Sequence, residues 1–88
     1  MWIYLNDRFV KEEEAVVSVF DHGFLYGDGV YETIRSYGSR IFMQDQHLAR
    51  LRRSADAIGL TIPIPRHGWP ALLHEAMTRN DVGHEHTD

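Results

Sequence analysis

The chain has 88 residues, a formal net charge of -4 and no cysteine. A chain this short holds at most one small domain and buries only about 60% of its unfolded surface, which is marginal without a partner. Disulfides and thiolate metal sites are excluded, and the acidic balance argues against a nucleic-acid partner. No apolar run approaches the roughly 20 residues of a membrane span, and Met1 to Tyr4 lacks the character of a signal peptide, so a cytoplasmic chain is expected.

In chain order, Trp2 to Leu5 is apolar and β-prone, Asn6-Asp7 is a turn pair, and Arg8-Phe9-Val10 resumes, which predicts a hairpin. Lys11-Glu12-Glu13-Glu14 follows as a solvated segment. Lys11 is the only lysine, and its acidic neighbours favour the charged ammonium, the opposite of what an amine nucleophile needs. Val16 to Phe20 reads as a short buried strand. Next comes Asp21-His22-Gly23-Phe24-Leu25-Tyr26-Gly27-Asp28-Gly29, whose glycines mark either an ordinary turn or a shaped loop walling a pocket.

Val30 to Tyr37 is rich in β-branched and aromatic residues, and Gly38-Ser39 suits a two-residue turn before Arg40-Ile41-Phe42-Met43. That turn pairs Tyr37 with Arg40, Ser36 with Ile41, Arg35 with Phe42 and Ile34 with Met43. Side chains alternate, so Ile34, Ser36, Ile41 and Met43 share a core-facing side, and Tyr31, Thr33, Arg35 and Phe42 share the other. Asp45 is placed to cap a helix running to about Ile58, with Gly59 at its end. Leu48, Leu51, Ala55 and Ile58 form its apolar stripe. Arg50, His47 and Ser54 lie along the edge of that stripe, while Arg52 and Arg53 point to solvent. Arg50 is therefore either an anion clamp or a snorkelling surface arginine. Thr61 to Pro65 must be extended, and a last helix starts near Pro70 and runs to about Arg79. Asp81 to Asp88 is polar. Its Gly83-His84-Glu85-His86 reads as a tail rather than a metal site.

No Walker lysine, dinucleotide fingerprint or serine elbow occurs. The order Asp21-His22-Gly23-Phe24, Tyr26-Gly27-Asp28-Gly29-Val30-Tyr31-Glu32-Thr33, a hairpin, then His47-Leu48-Ala49-Arg50-Leu51 with Ser54-Ala55 resembles the start of class IV aminotransferases. These are pyridoxal-phosphate enzymes of fold type IV, which include branched-chain and D-amino-acid aminotransferases and aminodeoxychorismate lyase. The resemblance covers residues 2 to 80. It implies an α+β fold with a small antiparallel-rich sheet and two helices over residues 1–80, followed by a tail over 81–88.

The resemblance also implies roles. Arg50 matches the arginine that holds the phosphate of pyridoxal 5'-phosphate. Tyr31 and Tyr26 match positions beside the substrate pocket, and Gly27 and Gly29 shape the loop. The lysine that bonds the cofactor and the acid facing its ring nitrogen belong to a second domain. No catalytic residue and no metal ligand is therefore expected in these 88 residues, and the chain alone is expected to be inactive, as a fragment or truncation would be. The expected activity of the complete enzyme moves an amino group between an amino acid and a 2-oxo acid, as a homodimer. Branched-chain substrates are the first choice and D-amino acids the second. A lyase-like role, or a non-catalytic module that dimerises or binds a partner, are the alternatives.

Overall fold

The computed structural model describes residues 1–81. The tail expected at 81–88 falls outside them beyond Asp81, and so does its histidine-glutamate tract. The fold is α+β: two separate antiparallel hairpins and two main helices.

The first hairpin joins β1 (Trp2–Leu5) to β2 (Arg8–Lys11), with Leu5 opposite Arg8 and Trp2 opposite Lys11. Its turn residues Asn6 and Asp7 both take positive φ, 50° and 74°, the conformation that matches the strands' twist. Tyr4 and Phe9 pack edge-to-face at 5.1 Å. The Met1 ammonium meets Glu12 at 2.8 Å and holds that carboxyl below its usual range. The last helix, α3 (Trp69–Arg79), carries Pro70 in its first turn and closes on this hairpin. The Asn80 amide pairs with one peptide edge of β1: the Trp2 N–H donates to Oδ1 at 2.6 Å, and Nδ2 donates to the Trp2 carbonyl at 2.9 Å. The same Nδ2 donates to the Ala76 carbonyl, also at 2.9 Å. The Arg79 guanidinium lies 4.4 Å from the Phe9 ring and 5.0 Å from that of Trp2. Both ends of the described chain are thereby tied together.

The second hairpin joins β3 (Ser36–Tyr37) to β4 (Arg40–Ile41) in the expected register, and the Phe42 N–H extends it by donating to the Arg35 carbonyl at 2.8 Å. Ile34, Ser36 and Ile41 face Leu73, Ala76 and Met77 of α3 across a gap of about 210 Å³. Met43 does not join them: it takes φ 52° and turns the chain into α2 (Gln44–Ala57). That helix has no side-chain cap. Asp45 lies inside the first turn, where its charge favours the helix dipole, rather than before it. The other end follows expectation. Gly59 takes φ 71°, and the Gly59 and Leu60 N–H groups donate to the carbonyls of Asp56 and Ala55.

Two strand expectations fail. Val16 to Phe20 is neither paired nor buried, and Phe20 is 82% exposed. Val30 to Ile34 is likewise unpaired, although burial still alternates along it: Glu32, Ile34 and Ser36 are half-buried between exposed Tyr31, Thr33 and Arg35. The physical reason is shared. A strand needs a neighbouring strand for its backbone groups, and none among the described residues pairs with these two. The core is correspondingly thin, with Val10 and Ala55 the buried apolar residues among those described. No helix among the described residues is long and apolar enough to cross a membrane.

Candidate functional site

The glycine-rich stretch is a single helical turn, α1 (His22–Tyr26). The Asp21 side chain caps it by accepting from the Phe24 N–H at 3.1 Å, and Gly27 ends it at φ 71°. A Cβ on Gly23 would stand 3.1 Å from Asp21 Oδ2 and 3.2 Å from the Asp28 carbonyl, so close approach constrains Gly23. Gly29 has open space around it. His22 Nε2 lies 2.7 Å from Asp28 Oδ2, and the His22 and Tyr26 rings are 4.8 Å apart.

The polar cluster of the molecule forms where the chain leaves this turn and meets α2. His47 and Arg50, three residues apart, occupy one face of the helix, and both reach Glu32. Arg50 Nε donates to Glu32 Oε2 at 2.8 Å and Arg50 Nη2 donates to Oε1 at 2.9 Å, a two-pronged fork. His47 Nδ1 stands 2.7 Å from Glu32 Oε1. At that distance from a carboxylate oxygen Nδ1 must carry the proton and donate it, which leaves Nε2 facing outward. The 3.3 Å approach of Arg50 Nη2 to His47 Nδ1 is then a contact between two donors sharing one acceptor.

Exposure is graded across the cluster. The Glu32 and His47 side chains are 11% and 17% exposed, whereas Arg50 is 58% exposed. The Arg50 hydrogen bonds, and after them that of His47, hold the Glu32 carboxyl at about 2, so it is an anion at any ordinary pH. The same pairing raises the Arg50 guanidinium. Glu32 thus fixes the inner edge of Arg50 and turns Nη1 outward, without a partner among the described residues. The arrangement suits the reception of a phosphate or carboxylate: a pre-oriented guanidinium edge beside a histidine ring.

A profile of amino-transferase class IV matches residues 29–87, which contain Glu32, His47 and Arg50. The chain belongs to this family. Among its curated relatives is a Methanocaldococcus jannaschii protein named "Putative branched-chain-amino-acid aminotransferase", 45% identical over 93% of this chain and 28% of its own length. The aminodeoxychorismate lyase of Bacillus subtilis is 40% identical over 91% of this chain and 27% of its own. The D-alanine aminotransferase of Listeria innocua is 39% identical over 93% and 28%. The chain therefore spans little more than a quarter of the length of these relatives, and its two-hairpin α+β architecture is that of a class IV N-terminal region.

Of the residues singled out from the sequence, the structure joins Arg50 and His47. Tyr31 is 85% exposed and Tyr26 70% exposed, and no hydrogen bond or ring contact among the described residues links either to Arg50. Lys11 stands away from the cluster, its Nζ 4.5 Å above the Trp2 ring. Arg53 is exposed as expected, but Arg52 is half-buried on the opposite side of α2. Glu32 was missed as a site residue. Its signal was its parity: in the alternation that placed Ile34 and Ser36 toward the core, Glu32 falls on their side, where a carboxylate needs partners.

Proposed function

We propose that this chain is the phosphate-anchoring N-terminal part of a pyridoxal-phosphate-dependent aminotransferase. The complete enzyme would move an amino group between an amino acid and a 2-oxo acid. The observation that carries this reading is the Glu32–His47–Arg50 cluster, in which a half-buried carboxylate holds an exposed guanidinium by two hydrogen bonds. The residues fit the cofactor's phosphate: Arg50 offers Nη1, and Glu32 prevents the side chain from wandering. When bound, pyridoxal 5'-phosphate supplies an electron sink for the amino-bearing carbon of the substrate. The protein's part here is to fix one end of that group while its ring stays free to tilt.

Tyr31 and Tyr26 serve the substrate side of the pocket, and Gly27 turns the chain between them. Their exposure fits residues completed by a second domain or a second subunit. Lys11, stacked on Trp2 in the first hairpin, takes no part in covalent attachment. Branched-chain amino acids are the first choice of substrate in this reading and D-amino acids the second, a ranking supported by relatives named as a branched-chain-amino-acid aminotransferase and a D-alanine aminotransferase. The exposed apolar side chains between Val16 and Tyr26 support a homodimer in which a second subunit covers them. That same run supports a second reading, a non-catalytic pairing module.

The test is a titration of the chain with pyridoxal 5'-phosphate followed by ³¹P and backbone amide NMR. The expected result is saturable, non-covalent binding that is lost in Arg50→Ala and unchanged in Lys11→Ala. Binding that survives Arg50→Ala, or an absorbance change abolished by Lys11→Ala, overturns the assignment.

A further inference from the structure

The face of α2 turned away from Glu32 carries a second cluster. Leu48, Ala49 and Arg52 follow Asp45 at three, four and seven residues, which puts all four on one side of the helix. At about 100° per residue, Arg50 lies roughly 140° around from Asp45, and His47 still further. The two faces are therefore independent. Against this second face stand Arg66, in the 3₁₀ turn Arg66–Gly68, and Trp69, which opens α3. Between them is a groove of about 390 Å³, within the range of roughly 300–1,000 Å³ typical of small-molecule sites.

What distinguishes the groove is unused bonding capacity. Arg52 is half-buried, yet neither it nor Arg66 makes an ion pair or a side-chain hydrogen bond with any described residue, whereas Arg50 and Arg79 both have a carboxylate. Asp45, on the same face as Arg52, is also without such a partner among the described residues. Trp69 is half-buried and its indole N–H is likewise unused. The Arg52 nitrogens are open to water rather than sealed in the core, so an anion that enters the groove meets a guanidinium fork with no protein acceptor to displace. Two guanidiniums against one carboxylate leave the groove net positive, and the indole and the Leu48 and Ala49 side chains supply an apolar wall.

We infer that this groove is a second ligand site, which takes a small organic anion with a planar ring. Its phosphate or carboxylate sits between Arg52 and Arg66, and its ring lies against Trp69. A guanidinium fork matches either headgroup, and an indole face holds a flat ring better than a flexible chain. Asp45 rewards a ligand that also carries a hydroxyl or ammonium donor. The site is separate from the Glu32–His47–Arg50 cluster and does not depend on the reading of that cluster.

The full 88-residue chain, ¹⁵N-labelled, is titrated with phenyl phosphate, benzoate and inorganic phosphate while the two indole N–H resonances are followed, Trp2→Phe assigning them. The expected result is a saturable shift of the Trp69 resonance with phenyl phosphate or benzoate, whichever headgroup fits, at lower concentration than any effect of inorganic phosphate. Arg52→Gln raises the Kd about tenfold and the more exposed Arg66→Gln about threefold. Arg50→Ala leaves it unchanged. Because Arg52→Gln could disturb α2, Arg52→Lys is run beside it, and this variant keeps the charge and packing but loses the fork, so an intermediate Kd is expected. The inference is overturned by a silent Trp69 resonance with both ring-bearing probes, by a shift that both glutamine variants retain, by inorganic phosphate matching the ring-bearing probes, or by a shift that Arg50→Ala abolishes.

Discussion

Two regions of this molecule are built on different terms. The first hairpin and α3 hold each other by contacts wholly within the chain: the Asn80 amide on Trp2 and the Arg79 guanidinium over Trp2 and Phe9. The stretch from Val16 to Arg35 has apolar side chains in abundance, yet Val16, Val17, Val19, Phe20, Phe24 and Tyr31 are all exposed. Beyond Ile34 and Arg35 at its end, its tie to the rest of the fold runs through the side-chain hydrogen bonds of Glu32 to Arg50 and His47. The candidate site is therefore also the rivet of the loosely held region. Function and local stability share one carboxylate.

The largest effect is expected from breaking that rivet. In Glu32→Gln the residue cannot ionise, so the Arg50 fork loses its anion and His47 Nδ1 its charged acceptor. Backbone amide chemical shifts from Val30 to Arg35 should collapse toward random-coil values while Trp2 to Lys11 stays protected from exchange, and binding to Arg50 should weaken through loss of orientation. The pH signature separates this from a general loss of packing. Because the Glu32 carboxyl is depressed to about 2 from an ordinary 4.5, its contribution is complete above pH 4.5 and disappears as pH falls toward 2. The wild-type chain and Glu32→Gln should differ above pH 4.5 and converge below it. A constant difference across that window would show that the substitution acts through packing instead.

Next in size is the clasp in the well-held region. Asn80→Ala removes three hydrogen bonds at once, to the Trp2 N–H, the Trp2 carbonyl and the Ala76 carbonyl, from a partly buried position. Water replaces some of them, so a loss of about 2 kcal/mol in urea unfolding is expected, with protection lost at the first hairpin and the chemical shifts of Val30 to Arg35 unchanged. A smaller step is Gly59→Ala. The φ of 71° that lets Gly59 and Leu60 close the end of α2 costs an alanine about 1 kcal/mol, spread over the whole helix.

The same contrast governs what could be read from the residues alone. The two hairpin turns, the Gly59 stop and the Pro70 start are local devices whose chemistry lies within a few positions, and each stands where its residues point. Val16 to Phe20 and Val30 to Ile34 have the composition of strands, but pairing is a non-local property and no strand among the described residues pairs with them. Arg50 and His47 emerged from helical spacing because they belong to one element. Glu32 lies 18 residues from Arg50 in sequence, so only its place in the strand alternation hinted at it. Arg52 was misjudged for a related reason: its distance from the apolar stripe of α2 says nothing of Arg66 and Trp69, which the chain returns to that side later.

The smallest expected effect is the sharpest probe of the loosely held region. Phe20 is 82% exposed, so Phe20→Ser should change the stability of the dilute monomer by less than about 0.5 kcal/mol, as surface substitutions do. If the apolar run is a surface awaiting a second subunit, the variant should instead shift self-association, and sedimentation velocity across a concentration series should show weaker assembly than in the wild-type chain. A loss of more than about 1 kcal/mol in the dilute monomer would mean that Phe20 is packed within the single chain. The segment would then belong with the hairpin and α3, and the division into a self-sufficient region and one completed from outside would fail at its most exposed residue.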